Sequence, residues 1–181
     1  ATAQSNIGVV YTAMGKMAEG MNCYLTSLDY CLKVNDANGI ARTKSNLANA
    51  YRNLGRYEEA ITLHKESWAS YESLGDNGGV ARAKRNLATL YQSIGNYSEA
   101  LEYNQQALQD FTVLGDNLNI SRTLSGIGLA YEATGDYPLA LEYLHRSMDI
   151  SESINNATGV ASAHGNIGNV YLALGSYVEA E

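Results

Sequence analysis

The sequence predicts an all-α solenoid of antiparallel helix pairs, about four and a half repeats long, and two observations carry that prediction. The first is an internal period of 40 residues with no insertion or deletion: A-R-T-K at 41–44 recurs as A-R-A-K at 81–84, S-R-T-L at 121–124 and A-S-A-H at 161–164. The second is that each period carries an apolar face of helical spacing followed by a glycine, as in Leu87, Leu90, Tyr91 and Ile94 before Gly95. Fixed periods of this length mark repeat architectures, in which one unit cannot bury its apolar face alone and stacks on its neighbours. Full repeats are expected at 1–40, 41–80, 81–120 and 121–160, with a half repeat at 161–181, all within one domain spanning 1–181.

Each unit reads as two helices. Counting positions from the start of each unit, the seventh is aliphatic (Ile7, Leu47, Leu87, Ile127, Ile167) and the eleventh is tyrosine (Tyr11, Tyr51, Tyr91, Tyr131, Tyr171). The fifteenth is glycine (Gly15, Gly55, Gly95, Gly135, Gly175), which accepts the left-handed conformation of a helix stop. Asn96, Asp136 and Ser176 are placed to cap the second helix, and Pro138 falls in its first turn, where a missing N–H does no harm. The second helix carries Ala100, Leu101, Tyr103, Ala107 and Leu108 on one face. It stops at Leu74-Gly75-Asp76 or Leu114-Gly115-Asp116, a glycine followed by an aspartate that caps the next first helix. Small residues at the eighth position (Gly8, Ala48, Ala88, Gly128, Gly168) and the twentieth (Gly20, Ala60, Ala100, Ala140, Ala180) allow close approach of the paired backbones.

N-L-A-x-x-Y-x-x-x-G-x-Y-x-x-A at 46–60 and 86–100, and I-G-x-x-Y-x-x-x-G-x-Y-x-x-A at 127–140 and 167–180, resemble the tetratricopeptide repeat over the whole chain. The usual early tryptophan is replaced by Gln4, Lys44, Lys84, Leu124 and His164, and the late proline is missing. The 40-residue period looks like the long-repeat branch exemplified by the LGN/Pins scaffolds. The resemblance implies a right-handed superhelix, first helices lining its inner face and second helices its outer face. It further implies that the asparagines at the sixth position, Asn6, Asn46, Asn86 and Asn166, clamp the backbone of a bound peptide.

The residues themselves point the same way. First-helix positions not used for packing hold Arg42, Asn49, Arg52, Asn53, Arg82, Arg85, Gln92, Arg122 and Asn169 beside those four asparagines. An asparagine amide both donates and accepts, so it can grip a peptide backbone of any sequence, whereas arginine selects carboxylates. Gly126 interrupts the series in the fourth unit. Asparagine at these positions could equally bond between neighbouring repeats. Second helices hold most of the acids, Glu58, Glu59 and Glu66 among them. With a Debye length of about 8 Å and helix axes ~8–10 Å apart, those acids are expected to be screened from the inner face.

Other function classes find little support. A net charge of −7 argues against nucleic acid, and no run of about 18 apolar residues is present to enter a membrane. Cys23 and Cys31, eight residues apart on one helix, are about 12 Å from each other at ~1.5 Å per residue, too far for a disulfide, which fits a reducing cytoplasm. The sequons at Asn96, Asn119 and Asn156 read as chance. His64, His145 and His164 fall at unrelated repeat positions, and no metal, cofactor or catalytic motif is found. The chain starts at Ala1 without a methionine and stops after Glu181, as an excerpt of a longer protein would. The expected function is a non-enzymatic protein–protein interaction scaffold for an extended, acidic peptide. Self-association through exposed repeat ends (Ile7, Val10 and Met14 at one of them) and a regulatory or sensor role in a larger signalling protein are the alternatives.

Overall fold

The computed structural model describes residues 2–175; Ser176 and Ala180, expected as a cap and a packing residue, lie outside them. The described residues form nine helices and no strand: α1 (Thr2–Ala13), α2 (Met17–Lys33), α3 (Ala37–Asn53), α4 (Tyr57–Ser73), α5 (Asn77–Ser93), α6 (Tyr97–Leu114), α7 (Asn117–Thr134), α8 (Tyr137–Ser153) and α9 (Ala157–Ala173). They fall into two compact units, Ala1–Leu90 and Tyr91–Glu181. The A-R-T-K-type segment sits in the second turn of each first helix, so a structural repeat starts near 37, 77, 117 and 157.

The starts and stops of the helices follow from side-chain and backbone chemistry. Asp36, Asp76 and Asp116 accept the N–H of the residue three ahead at 2.9, 2.8 and 3.1 Å, and Asn156 does the same for Gly159 at 3.2 Å. Each thereby satisfies one of the four orphan donors of a helix start. Asp136 caps α8 likewise at 3.3 Å. Asn96 occupies the cap position of α6 but its side chain makes no cap bond, contrary to the expectation. Left-handed residues end the helices, Gly55 at φ +74° and Gly75 at φ +67°, while Asn35 and Asn155 take that conformation where no glycine is present.

The second helices bury a seam at repeat positions 20, 24, 27 and 31. It reads Ala60, His64, Ser67 and Tyr71 in α4, Ala100, Asn104, Ala107 and Phe111 in α6, and Ala140, Leu144, Ser147 and Ser151 in α8. The first helices answer with Leu47, Ala48 and Ala50 in α3 and with Ile127, Gly128 and Ala130 in α7. Pairing is tight enough that a Cβ added to Gly128 would stand 2.8 Å from Leu144 Cγ and 3.1 Å from the Ala140 carbonyl. Position 14 does not join the core as its spacing implied. Leu54 and Ile94 are 47% and 41% exposed, because the helix ends there and its last turn overhangs the seam.

His64 is the one histidine that this seam takes in. Its side chain is fully buried and neither ring nitrogen has a hydrogen-bond partner. Burial, with a smaller push from the Arg52 charge, lowers its pKa to about 4. The unfolded chain therefore binds a proton that the folded chain refuses between about pH 6.5 and pH 4. Stability is expected to fall as pH drops through that window, by on the order of 3 kcal/mol, and to level off below it. Urea unfolding between pH 7 and pH 4 checks this: His64→Leu, the aliphatic choice made by Leu144, should flatten that part of the profile.

Candidate functional site

The asparagine series is first of all a brace between repeats. Asn46 Nδ2 donates to Ser5 Oγ at 3.0 Å, Asn86 to Ser45 at 3.2 Å and Asn166 to Ser125 at 3.3 Å. Each bond runs back 41 residues, from one first helix to the preceding one within a compact unit. The break at Gly126 now has a counterpart in the sequence. Positions 5 and 6 pair as Ser5 with Asn46, Ser45 with Asn86 and Ser125 with Asn166, and the one register lacking its asparagine also lacks its serine, having Arg85 there. Pairing position 5 with position 6 of the next unit would have exposed the brace from sequence. In the interrupted register the Gly126 carbonyl instead accepts from Gln92 Nε2 at 2.6 Å. Asn104 lies close by, with a fully buried Nδ2 that has no partner.

In the Ala1–Leu90 unit the expected stripe residues differ in exposure and in what they bond. Asn46, Asn49 and Asn86 are half-buried, while Arg42 and Arg82 are exposed. Arg42 donates to Thr2 Oγ1 at 2.9 Å. Arg52 is half-buried, donates to the exposed Asn53 at 3.4 Å, and has its pKa lowered by burial. Arg85 is half-buried and already engaged. Asn6 is exposed and lies beside Ile7, Val10 and Tyr11 on α1. In the Tyr91–Glu181 unit, Gln92 and Asn166 are committed to the bonds above, whereas Arg122 and Asn169 are exposed.

The expectation that second-helix acids are screened from these cations needs correction. Lys44 Nζ stands 2.9 Å from Glu66 Oε2 of α4; apart from this, Arg82 Nη2 lies 3.6 Å from Oδ2 of Asp76, the cap of its own helix. Axis spacing was the wrong ruler, because long side chains close the gap that separates the backbones. The Arg82 pair is solvent-exposed and worth at most about 1 kcal/mol, whereas Lys44 is half-buried beside an exposed Glu66. Two cationic head groups also lie over rings, with Arg82 Cζ 5.9 Å from the Tyr71 centroid and Lys84 Nζ 5.5 Å from that of Trp68.

Among the described residues no group of three or more metal-ligating side chains comes together, and no helix is long and apolar enough to cross a membrane. Comparison with known sequences decides the family: the tetratricopeptide repeat profile matches residues 1–67, 39–112 and 119–181. The chain belongs to the tetratricopeptide repeat family. No curated protein matches it in sequence. Among solved structures, this tetratricopeptide chain is similar to BtubC (BKLC) from P. vanneervenii, at TM-score 0.81 and 20% identity over 98% of this chain and 74% of that one. It is also similar to aspartyl phosphate phosphatase F from Bacillus subtilis, at TM-score 0.86 and 17% identity over 98% of this chain and 46% of that one. A third similar structure is a Rap protein complexed with Competence and Sporulation Factor, at TM-score 0.87 and 16% identity over 98% of this chain and 50% of the other. The chain thus spans about half the length of the last two. Such identities establish the fold alone, and the likeness to LGN/Pins scaffolds rests on repeat length only.

A brace and a surface asparagine should differ in their effect on stability. Asn86→Ala leaves Ser45 without its donor and is expected to cost about 1 kcal/mol. Asn6→Ala, at the same repeat position but with no hydrogen bond among the described residues, should stay within about 0.5 kcal/mol of wild type. Paired urea titrations at fixed pH give both values.

Proposed function

We propose that this chain is a protein-interaction module that holds an extended, acidic segment along the first-helix side of its repeats, without catalysing a reaction. The supporting observation is the disposition of Arg42, Asn46, Arg82 and Asn86 on α3 and α5. The asparagines are held by their serines, yet each keeps its carbonyl oxygen and a second N–H for a ligand. The arginines beside them are exposed, and their present partners, a threonine hydroxyl and a surface carboxylate, are weak. Bracing fixes the amides before a ligand arrives, which lowers the ordering cost of binding. A protein of similar fold has been solved in complex with Competence and Sporulation Factor, which fits an interaction role of this kind.

A second reading has its own observation. On α1 and just past its end, Ile7, Val10 and Met14 are 46%, 57% and 63% exposed, an apolar row of the kind that another repeat layer covers in a solenoid. We propose a second copy of the chain as its occupant, stacking through this end. The opposite end includes residues outside the described range.

The two readings separate cleanly. A labelled glutamate-rich dodecapeptide should bind the wild type, and Arg42→Glu with Arg82→Glu should weaken it at least tenfold at low salt, the difference shrinking at high salt. Fluorescence anisotropy measures this, and equal affinities for the two proteins would remove the peptide reading. Sedimentation equilibrium over a dilution series tests stacking: a concentration-dependent dimer should disappear in Val10→Lys, and a strict monomer in the wild type contradicts it.

A further inference from the structure

In the Tyr91–Glu181 unit a cavity of about 240 Å³ opens between α7, α8 and the start of α9, walled by Ser121, Arg122, Ser125, Ser147 and Ser151 and, across from them, by Asn156, Thr158, Gly159 and Ser162. It has a specific origin in the sequence. The corresponding place in the Ala1–Leu90 unit is filled: the Tyr71 ring packs against Ala41 and Ala83, Arg82 lies over that ring, and Asp76 pairs with Arg82. One repeat pair later, Ser151 stands for Tyr71, Ser162 for Arg82 and Asn156 for Asp76. The repeat has lost a ring, a cation and an acid from one spot, while Arg122 keeps the place of Arg42. The space equals the share of about eight waters, at ~30 Å³ each, and it is smaller than the ~300 Å³ at which drug-sized pockets begin.

The lining offers one cation, Arg122, and two hydroxyl protons that are not spent elsewhere. Ser151 Oγ is fully buried with no hydrogen-bond partner. Ser125 Oγ accepts from Asn166, so its own proton is uncommitted. Ser147 and Ser162 donate to carbonyls, those of Ser121 at 2.7 Å and Thr158 at 2.9 Å, so their hydroxyls offer the space only lone pairs. The first turn of α9 enters the wall at Thr158 and Gly159, with the positive end of the helix dipole behind it. No carboxylate lines the cavity, since Asn156 stands where its counterparts are aspartates, and no acid lies within ion-pair reach of Arg122 among the described residues.

We infer that this cavity is a binding site for a single carboxylate group, received by Arg122 and by the hydroxyls of Ser125 and Ser151 at the N-terminus of α9. One guanidinium and roughly half a positive charge from the helix end match a monoanion; a phosphate dianion would be left under-neutralised. The site lies within one compact unit and does not depend on the asparagine and arginine stripe of α3 and α5 binding anything. A carboxylate can come from a small free acid or from the side chain of a protein segment, and the probes distinguish these.

The test is a titration of the ¹⁵N-labelled 181-residue chain with sodium acetate and, separately, with blocked triglutamate, each at constant ionic strength. In the wild type, the amide resonances of Thr158 and Gly159 should move and saturate with acetate at about 1–10 mM, the range open to so small a ligand. Arg122→Gln should weaken this at least fivefold, and Ser151→Tyr, which restores the ring of the earlier repeat, should abolish it. Lys65→Ala, removing an exposed cation from α4, should change nothing. Triglutamate binding more than tenfold tighter than acetate assigns the site to a protein side chain, and equal or weaker binding assigns it to a free small acid. Shifts that fail to saturate by about 100 mM with either probe, or that are unchanged in Arg122→Gln, overturn the inference even if Ser151→Tyr fails to fold.

Discussion

Close packing of second helices against the first helices beside them within each compact unit is the constraint from which the other features follow. The seam at repeat positions 20, 24, 27 and 31 needs small residues opposite it, and Gly128 against Leu144 and Ala140 shows how little room is left. A core laid down in such nearest-neighbour steps leaves the remaining side of every first helix without a packing duty. The same seam explains why an uncharged histidine is tolerated at position 24. It occupies a slot that elsewhere takes tyrosine, asparagine or leucine, and the surrounding core sets its proton affinity.

Position 31 shows how a repeat acquires individuality. Cysteine, tyrosine and phenylalanine fill it in the first three units, and each is buried. Serine at the fourth keeps the helix and the burial but withdraws the volume, so the neighbouring first-turn backbone and an arginine border on open space. Because the units share one scaffold, such a change alters a surface locally without disturbing the stack that supports it. Interaction specificity in a repeat protein can therefore reside in departures from its own pattern.

Helix pairs, caps and left-handed stops were readable from the sequence because they depend on short-range chemistry repeated five times over. Asp36, Asp76 and Asp116 each announce a helix start with no tertiary information. Ile94 and Leu54 misled because periodicity carries on past the point where the helix ends. The asparagines misled in part for another reason: a polar residue on a helix face looks the same whether it greets solvent or a serine 41 residues earlier. Only the joint register of positions 5 and 6 separates the two cases. The ion pair of Lys44 with Glu66 depends on rotamers that no spacing rule reports.

The asparagine–serine bond ties neighbouring first helices and would hold the proposed peptide face in place before a ligand arrives. A double-mutant cycle on Asn86 and Ser45, followed by urea unfolding, measures that tie directly, since it removes what each residue contributes alone. A coupling of about 0.5–1.5 kcal/mol is expected. Effects that add to within about 0.3 kcal/mol would mean that the two side chains act independently and that the face is not braced.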